Sequence, residues 1–325
     1  MNGKIIAGIV TLVALSLYAG AVYWSQAPDK FSVMDVGAKE AEKLGQPAVI
    51  GVVTTATLVK EIETLLNKSG GYISNDVMPP FVLMDNIPSW EFGVLIQTRD
   101  MARAMRDSMS RSQSQSKEDL DLARAESRLN ISNTAWTFPD AESEYQESVK
   151  YLRQYMARLA DGKNQAQFYA RSDNLSHWLR IVEVRLGSLS QRLSASVGQR
   201  RLNTDLAGDS AAQQSTHGAT ELMTKTPWLE IDNVFYESRG TAWALIHLLQ
   251  AVEVDFAEVL KKKNASVSLA QIIRELEATQ AVLYSPMILN GSGFGLWANH
   301  SLVMASYISR ANAATIDLRM LLEKG

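Results

Sequence analysis

From Ile5 to Trp24 the chain runs for 20 residues without one charged side chain. At roughly 1.5 Å of rise per residue, a helix of that length covers about 30 Å, one bilayer hydrocarbon thickness. Tyr18, Tyr23 and Trp24 cluster toward its far end, where amphipathic rings favour the membrane interface. The segment therefore reads as a single transmembrane anchor, with the lipid bilayer as its partner, after a short tail of residues 1–4. A cleaved signal peptide is the rival, because Ala19 and Ala21 form a small-x-small site. Against it, only Lys4 charges the preceding residues and aromatics follow the possible cut at once.

Lys/Arg bias hardly sets the orientation, with Lys4 on one flank and Lys30, Lys39 and Lys43 on the other. A very short tail before a long domain is the usual signal-anchor pattern. The expectation is a single-pass protein of the bacterial inner membrane, tail inside and domain in the periplasm.

The other residues carry no second span. A net charge of −3 gives no reason to expect nucleic acid. Lys261, Lys262 and Lys263 close a predicted helix, where cations complement the dipole. There is no cysteine, which excludes disulfides, thiolate catalysis and Cys-ligated metals.

Hydrophobic periodicity defines the fold class. Tyr145, Val149, Leu152, Met156 and Leu159 make one stripe. Leu175, Leu179, Val182, Leu186, Leu189 and Leu193 make a second, and Leu245, Leu249, Val252, Phe256 and Val259 a third. Steps of four and three place each set on one helix face, and such faces pack side by side. Expected helices cover about 48–68, 89–108, 233–262, 268–284 and 298–322, and no run of period-two strands is found. The fold class is all-α: an N-terminal transmembrane helix followed by an antiparallel helical bundle in two halves. Residues 25–47 form a polar tether with room for one short helix, and 48–202 the first half. The Gly/Ala/Ser/Thr/Gln-rich stretch 203–226 is a mobile linker, and 227–325 the second half. The Ser/Gln stretch Arg111–Ser116 reads as solvated surface or loop.

An internal echo runs through the helix starts. Asp85-Asn86-Ile87 precedes Trp90, Asp173-Asn174-Leu175 precedes Trp178, and Asp232-Asn233-Val234 repeats the first three residues. Asp or Asn at an N-cap satisfies free backbone N–H groups, which is a sufficient physical reason; a duplication and a shared carboxylate site are the rivals. Ser89–Gly93 and Trp228–Asp232 each set an aromatic and a carboxylate at a helix start after a proline. These could line a groove. The candidate groove or partner-binding residues are thus Trp90, Glu91, Asp173, Trp178, Trp228, Asp232, Trp297 and His300.

No catalytic motif emerges. His177, His217, His247 and His300 lie in no metal-binding spacing, so no metal or cofactor is expected. Gly291, Gly293 and Gly295 follow no strand and precede no lysine, so they read as a helix connection rather than a phosphate cradle. The serines sit in no nucleophile motif.

Asp85 through Asp100, Arg111 through Ser116, Leu186 through Ser196 and Ser285 through Ala314 resemble an uncharacterised family of bacterial inner-membrane proteins, a domain of unknown function. The resemblance implies a bacterial membrane protein and transfers no functional residue. The reading is a membrane-anchored helical scaffold or adaptor of the cell envelope that docks a partner protein, with no catalysis inferred. The alternatives are a hydrolase or lipid-handling enzyme with a cleft between the halves, and an accessory subunit of a transport or secretion complex.

Overall fold

The computed structural model describes residues 3–45, 48–111, 117–161, 166–202, 221–285, 287–291 and 296–324. Helix α1 (Gly3–Trp24) is the uncharged segment, and none of its residues is buried by the remainder of the chain. It is the one helix among the described residues long and apolar enough to cross a membrane.

The bundle follows. It comprises α2 (Val33–Leu44), α3 (Val52–Asn67), α4 (Asn86–Ala104), α5 (Leu120–Leu129), α6 (Ala141–Ala160) and α7 (Ser172–Ser194). After a short hairpin come α8 (Ile231–Asp255), α9 (Ala257–Lys262), α10 (Ser266–Ala278) and α11 (His300–Glu323). The three stripes are core. Every residue of the α7 stripe is buried, and of the other two only Leu159 and Val259 lie partly at the surface.

Helix α8 runs through the centre, with Gly240 through Leu249 buried without interruption. A helix apolar on all sides has to be enclosed. Helices α3, α4, α7, α10 and α11 all touch it, and residues from both sides of 203–226 share one continuous core. Its tightest neighbour is α4. A Cβ on Gly93 would collide with the carbonyl oxygen of Glu237 and lie 2.7 Å from the Thr241 nitrogen. A Cβ on Gly240 would collide with the Trp90 carbonyl. Two glycines thus let the backbones meet, while Trp90 and Trp243 pack edge to face across the crossing, 5.3 Å between centroids.

One buried ion pair fixes the turn from α3 into α4. Lys68 Nζ lies 2.7 Å from Glu91 Oε1, with both side chains almost fully enclosed. The Glu91 carboxylate also accepts from the Ile73 and Ser74 amides at 2.9 and 2.8 Å and from the Ser74 hydroxyl. A buried charge is tolerated when it is paired and its lone pairs are filled, as here.

Several expectations change. Residues 25–45 do form one short helix, but it is docked rather than a tether. Ser32 caps α2 through the Asp35 amide, Val33 packs with Val53 and Ala251, and Glu40 pairs with Arg153 at 3.2 Å. A short antiparallel hairpin, β1 (Gln199–Leu202) with β2 (Glu221–Thr224), is present where no strand was expected. Four residues per strand are too few for a period-two pattern to register. The hairpin claims residues 221–224 of the expected linker; residues 203–220 lie outside the described residues, as do 112–116, Gly293 and Gly295. The expected helix 233–262 breaks at Phe256, dividing α8 from α9. The Asp-Asn echo is not side-chain capping by aspartate. Asp85 occupies the N-cap of α4 without a side-chain cap bond, Asp173 pairs with Arg171, and Asp232 lies in the first turn of α8.

Two stability predictions arise. Ala favours an isolated helix over Gly by about 0.5–1 kcal/mol. At this crossing, however, Gly93→Ala and Gly240→Ala force the backbones apart, and overpacking typically costs about 1–3 kcal/mol or more. Each should lower the thermal midpoint, and the double variant should not fold. Unchanged midpoints would show that the crossing is not tight. The second concerns Glu61, fully buried, with neither carboxyl oxygen partnered. Burial holds its pKa well above the usual 4.5. The folded state then binds this proton more tightly than the unfolded chain, so its stabilising contribution is complete below 4.5 and is lost as pH rises toward the folded value. Glu61→Gln should therefore melt above the wild type at pH 7, with the gap closing on acidification to about pH 4. A gap independent of pH would contradict this.

Candidate functional site

The parallel course of α4 and α8 brings their first turns together at one end of the bundle. Between them opens a cleft of about 450 Å³. Asp85 and Asn86 of α4 and Asp232 and Tyr236 of α8 form one side. Ser196, Lys225 and Thr226 close another, and Ile231, Met287 and Ile288 give an apolar floor. Trp228 and Leu229 stand at the rim, strongly exposed. The connection that carries them is held by the Thr226 amide donating to the Ala195 carbonyl at 3.0 Å.

Two carboxylates, Asp85 and Asp232, outnumber the one cation of this cleft, Lys225, and several of its polar atoms are under-satisfied. Burial, and after it the charge of Asp85, raises the pKa of the Asp232 carboxyl. The Asp232 Oδ1 accepts from the Asn233 amide at 3.1 Å. Asn86 Oδ1, Asn233 Oδ1 and Ser196 Oγ are buried at this end without hydrogen-bond partners among the described residues. Such an arrangement favours ligands that bring hydrogen-bond donors or positive charge, because these stabilise two neighbouring carboxylates. Among the described residues no three His, Cys, Asp or Glu side chains gather closely enough to hold a metal.

The remaining sequence candidates go elsewhere. Trp90 and Trp178 are wholly buried core residues, and the ring nitrogens of both lack partners. Glu91 is spent on Lys68 and the α3–α4 turn. Neither tryptophan nor Glu91 reaches a surface, because hydrophobic burial and ion pairing claim them. Asp173 lines a different, open cleft of about 550 Å³ formed with His177, Arg180, Lys263, Arg319 and Glu323. Its charges are largely matched: Arg319 meets Glu183 at 2.9 Å and Glu323 at 3.0 Å. Trp297 is exposed. His300 opens α11 and borders a third hollow, against α8 and α10. The three Asp-Asn pairs therefore do not converge: Asp85 and Asp232 share a cleft and Asp173 does not.

Sequence reasoning passed over Asn86, Ser196, Lys225 and Tyr236 as site residues. Their only signal was neighbourhood. Asn86 follows Asp85 in the echo, and Tyr236 lies one helical turn beyond Asp232.

The chain was compared with known proteins. Searches of curated proteins and of solved structures each returned no match. The family model described as "Uncharacterized protein conserved in bacteria (DUF2333)" matches residues 2–325, which spans α1, every bundle helix and all three clefts. The chain belongs to this uncharacterised bacterial family.

Proposed function

We propose that this chain is a membrane-anchored adaptor of the bacterial cell envelope. In this reading α1 spans the inner membrane with its short tail inside, the bundle stands in the periplasm, and the acidic α4–α8 cleft with its aromatic rim receives a cationic element of a partner protein. No catalytic step is assigned to it.

The observation that carries the reading is how firmly the bundle is mounted on α1. Trp24 lies against Phe81, 4.8 Å between ring centroids, and over Gly70. Six residues after the helix, Lys30 pairs with Glu277 at 3.1 Å. Next to it Phe31 stacks on His247 with rings 5° from parallel and 3.9 Å apart, and its amide donates to His247 Nε2 at 3.1 Å. A docked connection supports the adaptor reading because it holds a binding surface at a set height above the lipid, whereas a flexible one samples many heights.

The chain has no cysteine, so single-cysteine variants report cleanly on both parts of the proposal. Val184→Cys in the bundle should react with a membrane-impermeant maleimide in cells whose outer membrane is permeabilised, and Gly3→Cys should not. The opposite pattern would reverse the topology. A photo-crosslinking amino acid at Trp228 should yield a discrete protein adduct, and one at the equally exposed Val267 on α10 should not. Matching results at both positions, adduct or none, would defeat the adaptor cleft.

A further inference from the structure

The third hollow has a composition unlike the other two. It measures about 350 Å³ and lies between α8, the end of α10 with the segment after it, and the first turns of α11. Phe235, Val282, Leu283, Tyr284, Val303 and Met304 make its surface chiefly apolar. Val282, Tyr284 and Val303 are strongly exposed. Apolar area left open to water at a concave site marks a binding surface.

Hydroxyls of Thr279, Tyr284, Ser285 and Tyr307 also line it, and two side chains bring nitrogen donors. Arg239, half-buried on α8, gives one N–H to the Gln280 carbonyl at 3.1 Å. It has no carboxylate partner among the described residues, and burial works against its charge. A guanidinium carries five N–H donors, so most of its capacity is unused. His300 is the second. The Leu289 amide donates to His300 Nδ1 at 3.0 Å, which makes that nitrogen the acceptor. In a neutral ring the proton then resides on Nε2, a donor without a protein acceptor among the described residues. Phe235 lies one turn before Arg239 on α8 and 6.4 Å, centroid to centroid, from the His300 ring, so both donors border the same space.

We infer that this groove binds an anionic amphiphile, its oxyanion head held by Arg239 and His300 and its hydrocarbon tail laid along Val282, Leu283, Val303 and Met304. A half-buried unpaired cation is costly unless an anion completes it, and guanidinium forks match carboxylate and phosphate oxygens. Glu277, whose neighbour Ala278 lines the groove, pairs with Lys30, six residues beyond α1. This inference does not depend on the adaptor cleft, whose lining shares no residue with the groove.

The test uses the full chain in a neutral maltoside detergent and displacement of a fluorescent fatty acid. Oleate should displace it, and oleyl alcohol, which has the same tail without the charge, should be at least roughly tenfold weaker. Displacement by phosphatidylglycerol but not by oleate would identify the head as a phosphodiester and equally support the groove. Arg239→Gln should lose roughly tenfold or more in affinity, the scale of one charge-assisted hydrogen bond, while keeping the wild-type melting profile. Should that variant fail to fold, Val303→Trp, at an exposed position, fills the groove and should abolish displacement. Equal affinity for oleate and its alcohol, or unchanged affinity in Val303→Trp, would overturn the inference.

Discussion

The bundle depends on the contact between α4 and α8 at Gly93 and Gly240. Where two helix backbones touch, no side chain separates them, and the rest of the packing is set from that point. The reciprocal fit of each glycine against a carbonyl of the other helix fixes both register and direction. Trp90 and Trp243 then fill the space beside the crossing, and α8 becomes the axis around which α3, α7, α10 and α11 assemble. The same register brings Asp85 and Asp232 to one end, so the cleft between them is a direct product of the crossing.

A second consequence runs toward α1. His247 lies one turn beyond Trp243 on α8, gives Nδ1 to the Trp243 carbonyl and stacks on Phe31. Burial lowers its pKa to about 4, so near neutrality it is the neutral ring whose Nε2 accepts the Phe31 amide. The unfolded chain takes up that proton near the ordinary value of 6.5, so this contribution is present above 6.5 and is lost as pH falls toward 4. The docking of residues 27–45 thus reaches the central helix at Phe31 and Val33, while α2 itself packs chiefly against α3.

What the sequence made legible was whatever repeats. The long apolar helix α1, the three stripes and the all-α class follow from composition and period alone. Long-range contacts have no such signature. Gly93 and Gly240 look like poor helix residues until the partner backbone is in view. Lys68 and Glu91 give no sign that they meet, since ion pairing across a turn leaves no periodic trace. Residues 25–45 look polar because α2 shows half of its surface to water while Val33 and Ala41 dock. At the candidate cleft, Trp228 and Asp232, neighbours in sequence, both belong to the lining. Trp90 and Trp178 are drawn into the core by the same bulk that makes an aromatic attractive as a binding residue. Arg239 is the opposite case: the single Lys or Arg of the central helix is visible in the sequence, but only the neighbouring helices show that it has no carboxylate partner among the described residues.

The central claim is that the bundle is held in one position relative to α1 by contacts of Trp24 and of the residues that follow it, among them the Phe31 stack on His247 of α8. The direct measurement is the distance distribution between spin labels at Tyr23→Cys, at the end of α1, and Val184→Cys, on α7, in the full chain reconstituted in lipid. One narrow distribution is predicted, broadening when His247→Ala removes the stack and acceptor for Phe31. A broad distribution in the otherwise unaltered chain, of the kind a flexible linker gives, would contradict the account.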